Sequence, residues 1–258
     1  MGRVILIACV ALLSFSGVLM GALLQATRSA DEVTRTNERR LLQNHLQVSL
    51  RAAAAAGPVQ LTWDDAMRAA GGQGRPLDSR WADLYFGQFL TTMVHADRLF
   101  LVTPDGALLR GWQRGRVAPA TSFDAIAPAV RRQLQNLTAN RSMDGIVDRL
   151  APLADGTRWP INRAGYPLSR WSGALVRYQG KPAMMTVISI TPDATPRLLQ
   201  RTPNHMVTLR YLDPATLNDI SNAVLLRELR FNAASPTERD RNSFQLRDDG
   251  GRGLGWLS

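Results

Sequence analysis

"RLFLV" at 98–102, "TPDG" at 103–106 and "ALLRGW" at 107–112 form the stretch whose reading decides the fold. Two short apolar runs flank a turn, and Asp105-Gly106 supplies a tight reversal, so the stretch reads as strand, turn and strand. The segments on either side have a helical period. "DSRWADLYFGQFLTTM" (78–93) precedes it with Asp78 or Ser79 as the helix cap, and "FDAIAPAVRRQLQNL" (123–137) follows it.

Further along, "GALVRY", "QGKP" and "AMMTVISI" (173–190) make a second hairpin, and the Arg- and Pro-containing stretch 149–170 before it reads as loop. "HMVTLRYL" (205–212) is another strand. "DPATLNDISNAV" (213–224) is a helix with Asp213 as cap and Pro214 at its first position. "SFQLR", "DDGG" and "RGLGWLS" (243–258) close the chain with a last hairpin. Antiparallel strands with helices gathered to one side define an α+β domain, comparable to a PAS or Cache sensor.

Towards the amino terminus, "LTWDDAMRAA" (61–70) opens a helix. Thr62 is the expected N-cap, Asp64 and Asp65 occupy the first turn, where the helix dipole favours anions, and Trp63, Ala66, Met67 and Ala70 share one face. Two successive helical side chains diverge by about 100°, poor geometry for a catalytic carboxylate pair. One acid is expected to charge the helix start while the other turns inward to an arginine, with Arg210 the first candidate. "GGQGRP" (71–76) ends this helix. Residues 25–56 contain neither Pro nor Gly, and Leu42, Leu46 and Leu50 repeat at i+4, giving a long amphipathic helix that Gly57 and Pro58 stop.

Val4 to Leu24 is an uncharged apolar run. At ~1.5 Å per residue it reaches about 30 Å, the thickness of a bilayer core, so it reads as one transmembrane helix. A cleavable signal would have an apolar region of only ~7–15 residues and a small-residue cleavage site, and none precedes Arg28. Cys9 is too near the start, inside a run that continues past it, to be a lipoprotein cysteine. Arg3 precedes the run and Arg28, Arg35, Arg39 and Arg40 follow it, so charge alone favours the reverse orientation, but long domains translocate largely regardless of charge. The expected layout is an anchor over 1–24, a membrane-proximal signalling helix over 25–57 and a periplasmic domain over 58–258.

The formal charge is +10, and of 31 basic residues only Lys181 is lysine. No recognition-helix, RNP or zinc-finger pattern accompanies that charge, so nucleic acid is not an expected partner. Cys9 is the only cysteine, and His45, His95 and His205 offer no metal-ligand spacing, so neither disulfide, metal nor cofactor is expected. The chain carries no G-x-S-x-G, no phosphate loop and no dinucleotide fingerprint, which argues against an enzyme.

The order of "WDDA" (63–66), "LFLVTPDGALLRGW" (99–112), "VTLRYLD" (207–213) and "LRDDGGRGLGWLS" (246–258) after an anchor and a long helix resembles the fourth class of CHASE domains. The resemblance implies an extracytoplasmic sensory domain of a bacterial membrane receptor. Members of that family usually sit between two membrane helices and continue into a GGDEF, EAL or histidine-kinase output. Here "GGQGRPLDSR" (71–80) stands where relatives commonly keep an acidic or aromatic stretch, and the sequence reaches only Ser258. The expected chain is therefore the sensory part of a longer receptor, or a shortened relative whose output is a separate protein.

On this reading the chain is no enzyme but senses a small-molecule or protein ligand at the inner membrane, in a receptor that controls cyclic di-GMP, with a homodimer among the expected assemblies. Trp63 walls the site, Asp64 and Asp65 hold the helix start or a polar ligand, and Arg210 matches the strand arginine of the family and partners an anion. Arg210 has an alternative reading as an outward residue on an edge strand. Trp81, Arg98 and Tyr178 join the ligand-binding set because they pair aromatic walls with a polar hook. The competing reading is a membrane-tethered protein that uses the same fold to bind a protein partner.

Overall fold

The computed structural model describes residues 61–138, 147, 149–223, 229–234 and 243–257, together with helical positions scattered between 15 and 50. It divides into two compact units, 1–45 and 46–258. Every described position from 15 to 50 is helical, while residues 51–60, where the long helix read over 25–56 was expected to end, and most of the apolar run Val4–Leu24 lie outside the described residues. Among the described residues no helix is long and apolar enough to cross a membrane. Leu46 and Leu50 are buried while Val48 is exposed, and Leu50 packs over Gly173, where an added Cβ would lie 3.6 Å from Leu50 Cδ2.

The second unit is built on a six-stranded sheet of order β3-β2-β1-β8-β7-β6, with every neighbouring pair antiparallel. Its strands are β1 (Arg98–Val102), β2 (Leu108–Gln113), β3 (Arg116–Val117), β6 (Trp171–Tyr178), β7 (Lys181–Ser189) and β8 (His205–Tyr211). The β1-β2 hairpin forms as read. Thr103 C=O accepts Gly106 N–H at 2.9 Å, and Gly106 takes φ +84, a conformation open to glycine. β6 and β7 are joined by Gln179-Gly180 alone, both at positive φ, so Lys181 and Pro182 belong to the strand rather than to the turn.

Helices do not gather on one side of this sheet. All five residues of β1 are buried. Leu99 and Leu101 pack with Phe86, Leu90, Trp112, Ile188 and Met206, whereas Phe100 and Val102 pack with Val130, Leu134, Met185, Val187 and Val207. The first face is covered by α1 (Asp64–Ala69) and by a continuous helical segment comprising α2 (Ser79–Ala82), a π-helix (Asp83–Leu90) and α3 (Thr91–Met93). The second face is covered by α4 (Thr121–Asp124) and α5 (Ala127–Thr138). An unbroken apolar run such as Leu99–Val102 has no polar face to offer water, and that is why the strand demands cover on both sides.

Three local readings also change. The stretch 149–170 contains a two-stranded ladder, β4 (Arg149–Pro152) with β5 (Arg158–Ile161). Proline suggested loop, but a ladder of only two strands has free outer edges that tolerate the missing N–H, and the buried Trp159 and Ile161 anchor it. Asp155 in its turn accepts Thr157 N–H at 2.9 Å and Thr202 N–H at 2.6 Å. β3 extends the sheet beyond the hairpin at 98–113, through a two-residue Arg114-Gly115 turn. A smaller sheet of order β10-β11-β9 joins Phe244–Arg247 (β10), Gly253–Leu257 (β11) and Phe231–Asn232 (β9), which contains the last hairpin. Asp213 caps α6 (Pro214–Ala223) by accepting Thr216 N–H at 2.8 Å.

Candidate functional site

Thr62 does not cap α1. It bridges Thr191, and Trp63 occupies the cap position in extended conformation without a side-chain cap. The cap comes from a distant loop instead: Asp193 Oδ1 accepts Asp64 N–H at 3.1 Å, while Asp64 Oδ1 accepts Ala194 N–H at 3.2 Å and Thr195 N–H at 3.1 Å. Burial pushes the Asp64 carboxyl up, but the hydrogen bonds from Thr195 and Ala194 outweigh it and hold the group below its ordinary value. Asp65 points to solvent, its side chain 53% exposed, and pairs with Arg68 at 2.7 Å.

The two acids thus divide as their 100° separation requires, but the inward one clasps the 193–195 loop and not Arg210. Arg210 pairs with Asp219 at 3.3 Å, on β8 in the middle of the sheet. Asp64→Ala strands two backbone donors and should cost about 1–3 kcal/mol. Asp65→Asn removes only an exposed pair and should cost under about 1 kcal/mol. Urea denaturation of both variants checks the contrast; equal losses would contradict it.

Trp63 is half-buried and meets Trp81 and Tyr85 with ring centroids 5.8 and 5.0 Å apart. Trp81 stacks on Tyr85 at 4.5 Å, and Tyr85 on Phe89 at 5.1 Å. This ladder follows the π-helix, whose extra residue per turn is a feature common at functional sites. Asp83, in the first turn of that helix, accepts Arg110 Nε at 2.5 Å, Arg110 Nη2 at 2.6 Å and the indole N–H of Trp112 at 2.8 Å. The Arg110 guanidinium holds the Asp83 carboxyl below its ordinary range, burial opposing it. Gly87 seats the helix on the strand: a Cβ there would lie 2.6 Å from Trp112 Cδ1.

An open groove of about 480 Å3 lies between the end of the π-helix and the β2-β3 turn, lined by Gln88, Thr91, Thr92, Arg114, Gly115 and Arg116. No carboxylate lines it, and neither arginine forms an ion pair among the described residues. Thr91 Oγ1 is shielded from water and has no hydrogen-bond partner there.

Of the candidates read from sequence, Trp63, Asp64 and Trp81 come together at the first face. Arg98 and Tyr178 lie elsewhere. Arg98 is buried, donates to Gln113 Oε1 at 2.6 Å and sits 5.6 Å from the Tyr178 ring centroid. Tyr178 is fully buried and donates its hydroxyl to Ser122 C=O at 2.8 Å. The sequence reading missed Asp83, Arg110, Gly87 and the groove arginines. The one available signal was "RG" at 114–115, a two-residue turn pair between "GWQ" and "RV".

No curated protein sequence matches the chain. In structure it is similar to the periplasmic domain of Vibrio cholerae LuxQ, solved by crystallography, with a TM-score of 0.42 and 11% identity over 86% of this chain and 96% of that one. The CHASE4 domain profile matches residues 62–232, from the Thr62 bridge to the end of β9. With well over half of its length inside that match, the chain belongs to the CHASE4 domain family.

Proposed function

We infer that the chain is the periplasmic ligand-sensing module of a membrane-bound signal-transduction receptor whose intact form controls cyclic di-GMP. The observation that carries the reading is the CHASE4 match over 62–232, which marks a sensory domain and spans the whole six-stranded sheet with both its covering layers. The apolar run Val4–Leu24 supports a membrane anchor, and the helical positions between 25 and 50 support a membrane-proximal helix that carries the signal. Trp63, Trp81 and Tyr85 form the aromatic wall beside which a ligand is sensed, and the Asp64 clasp fixes the start of α1 next to it.

The reading frame beyond codon 258 tests the output. A second apolar span followed by a GGDEF or EAL sequence is the expected continuation. A frame that ends without one, in a genome segment with no such neighbour, would overturn the cyclic di-GMP assignment and favour a tethered protein-binding module.

A further inference from the structure

We propose that the groove between the π-helix and the β2-β3 turn is an oxyanion-binding site, taking the carboxylate or phosphate group of a small ligand between Arg114 and Arg116. This deepens the sensory reading by assigning a ligand chemistry to one place in the domain. Three observations converge on it. Two guanidinium groups flank Gly115 on a two-residue turn, so their backbones are fixed relative to each other. Neither is neutralised by a carboxylate among the described residues, unlike Arg110, which Asp83 engages through two hydrogen bonds. The residues that line it include glutamine, threonines and arginines but no acid.

The chemistry of the lining selects the ligand. Guanidinium presents a planar fork of donors that matches the two oxygens of a carboxylate or phosphate, and charge-assisted bonds of this kind are about twice as strong as neutral ones. The Gln88 amide and the Thr92 hydroxyl stand on the opposite wall; Thr92 already donates to Gln88 C=O at 3.0 Å and so retains its lone pairs as acceptors for a hydroxyl or ammonium group on the same ligand. The floor is held in place by Gly87 against Trp112, and hence by the Asp83 hydrogen bonds. Because both arginines are exposed, water and salt weaken the attraction, and a minimal anion should bind at about millimolar affinity.

The test is a titration of the full chain in nanodiscs of zwitterionic lipid with inorganic phosphate and with succinate, at constant ionic strength against chloride, read as the shift in melting temperature. A saturable rise with either probe is expected. The Arg114→Gln/Arg116→Gln double variant should weaken it about tenfold or more. Arg163→Gln/Arg197→Gln, which removes the same charge from exposed positions outside the groove, should leave it unchanged.

Shifts no larger than chloride gives in zwitterionic discs, with no stabilisation in anionic ones either, or equal weakening by both double variants, would overturn the proposal. Stabilisation seen only in discs of anionic lipid, and lost in Arg114→Gln/Arg116→Gln, retains the site and identifies the oxyanion as a headgroup. Failure here leaves the family assignment and the sidedness of the domain intact, since those are read by independent measurements.

Discussion

Acidification from pH 6.5 to 4.5 should cost the domain about 2 kcal/mol through His205 alone. His205 lies on β8 between Val102 of β1 and Ser189 of β7, and is 3% exposed. Burial, and then the nearby charge of Arg170, push its pKa from 6.5 down to about 3. In the unfolded chain the imidazole takes up a proton as the pH falls below 6.5, while in the folded protein it stays neutral. The slope is half-developed at pH 6.5 and, about a unit lower, reaches about 1.4 kcal/mol per pH unit towards unfolding, until the folded value near 3 is reached.

Carboxyls held low in the fold, Asp64, Asp83 and Asp155 among them, add their own loss only as the pH drops below the ordinary carboxyl value. The window above pH 4.5 therefore isolates the histidine. Unfolding free energy measured by urea at half-unit pH steps should show the slope in the native chain and lose it in His205→Gln. An unchanged slope in the variant would show that another group titrates.

Trp112→Ala should remove about 3–5 kcal/mol, the cost of truncating a large aromatic in a packed core. Trp112 is fully buried, its ring lies under Gly87, and its indole N–H reaches Asp83. The substitution opens a cavity at the contact that seats the π-helix on β2 and leaves Asp83 to Arg110 alone. Trp112→Phe keeps most of the ring and loses the hydrogen bond, so it should cost about 1–2 kcal/mol. Denaturant midpoints with unchanged m-values are the expected signature. If Phe proved as damaging as Ala, the hydrogen bond to Asp83 would dominate over packing.

The longer strands of the main sheet were legible because their signals are local. "RLFLV" and "HMVTLRYL" announce themselves by composition and length, and Asp105-Gly106 and Asp213-Pro214 punctuate them at the positions the structure uses. What sequence could not show is which groups meet across long separations. Asp64 finds its partners at Ala194 and Thr195, and Asp83 finds Arg110 and Trp112; nothing in the local pattern distinguishes those contacts from the Arg210 pairing expected for one of Asp64 and Asp65. The π-helix was equally invisible, since its residues carry an ordinary helical period. The two-sided cover of the sheet was present in the unbroken run Leu99–Val102, and counting that run would have corrected the one-sided layout.

The account rests on an extracytoplasmic domain, and labelling of intact cells tests that directly. Cys9 is the only cysteine, so a Cys9→Ala chain with Arg163→Cys carries one thiol, on an exposed turn before Gly165. In bacterial cells with a permeabilised outer membrane, a membrane-impermeant maleimide should label that thiol as fully before lysis as after it. Labelling that appears only once the inner membrane is broken would place the domain in the cytoplasm and contradict the sensory account.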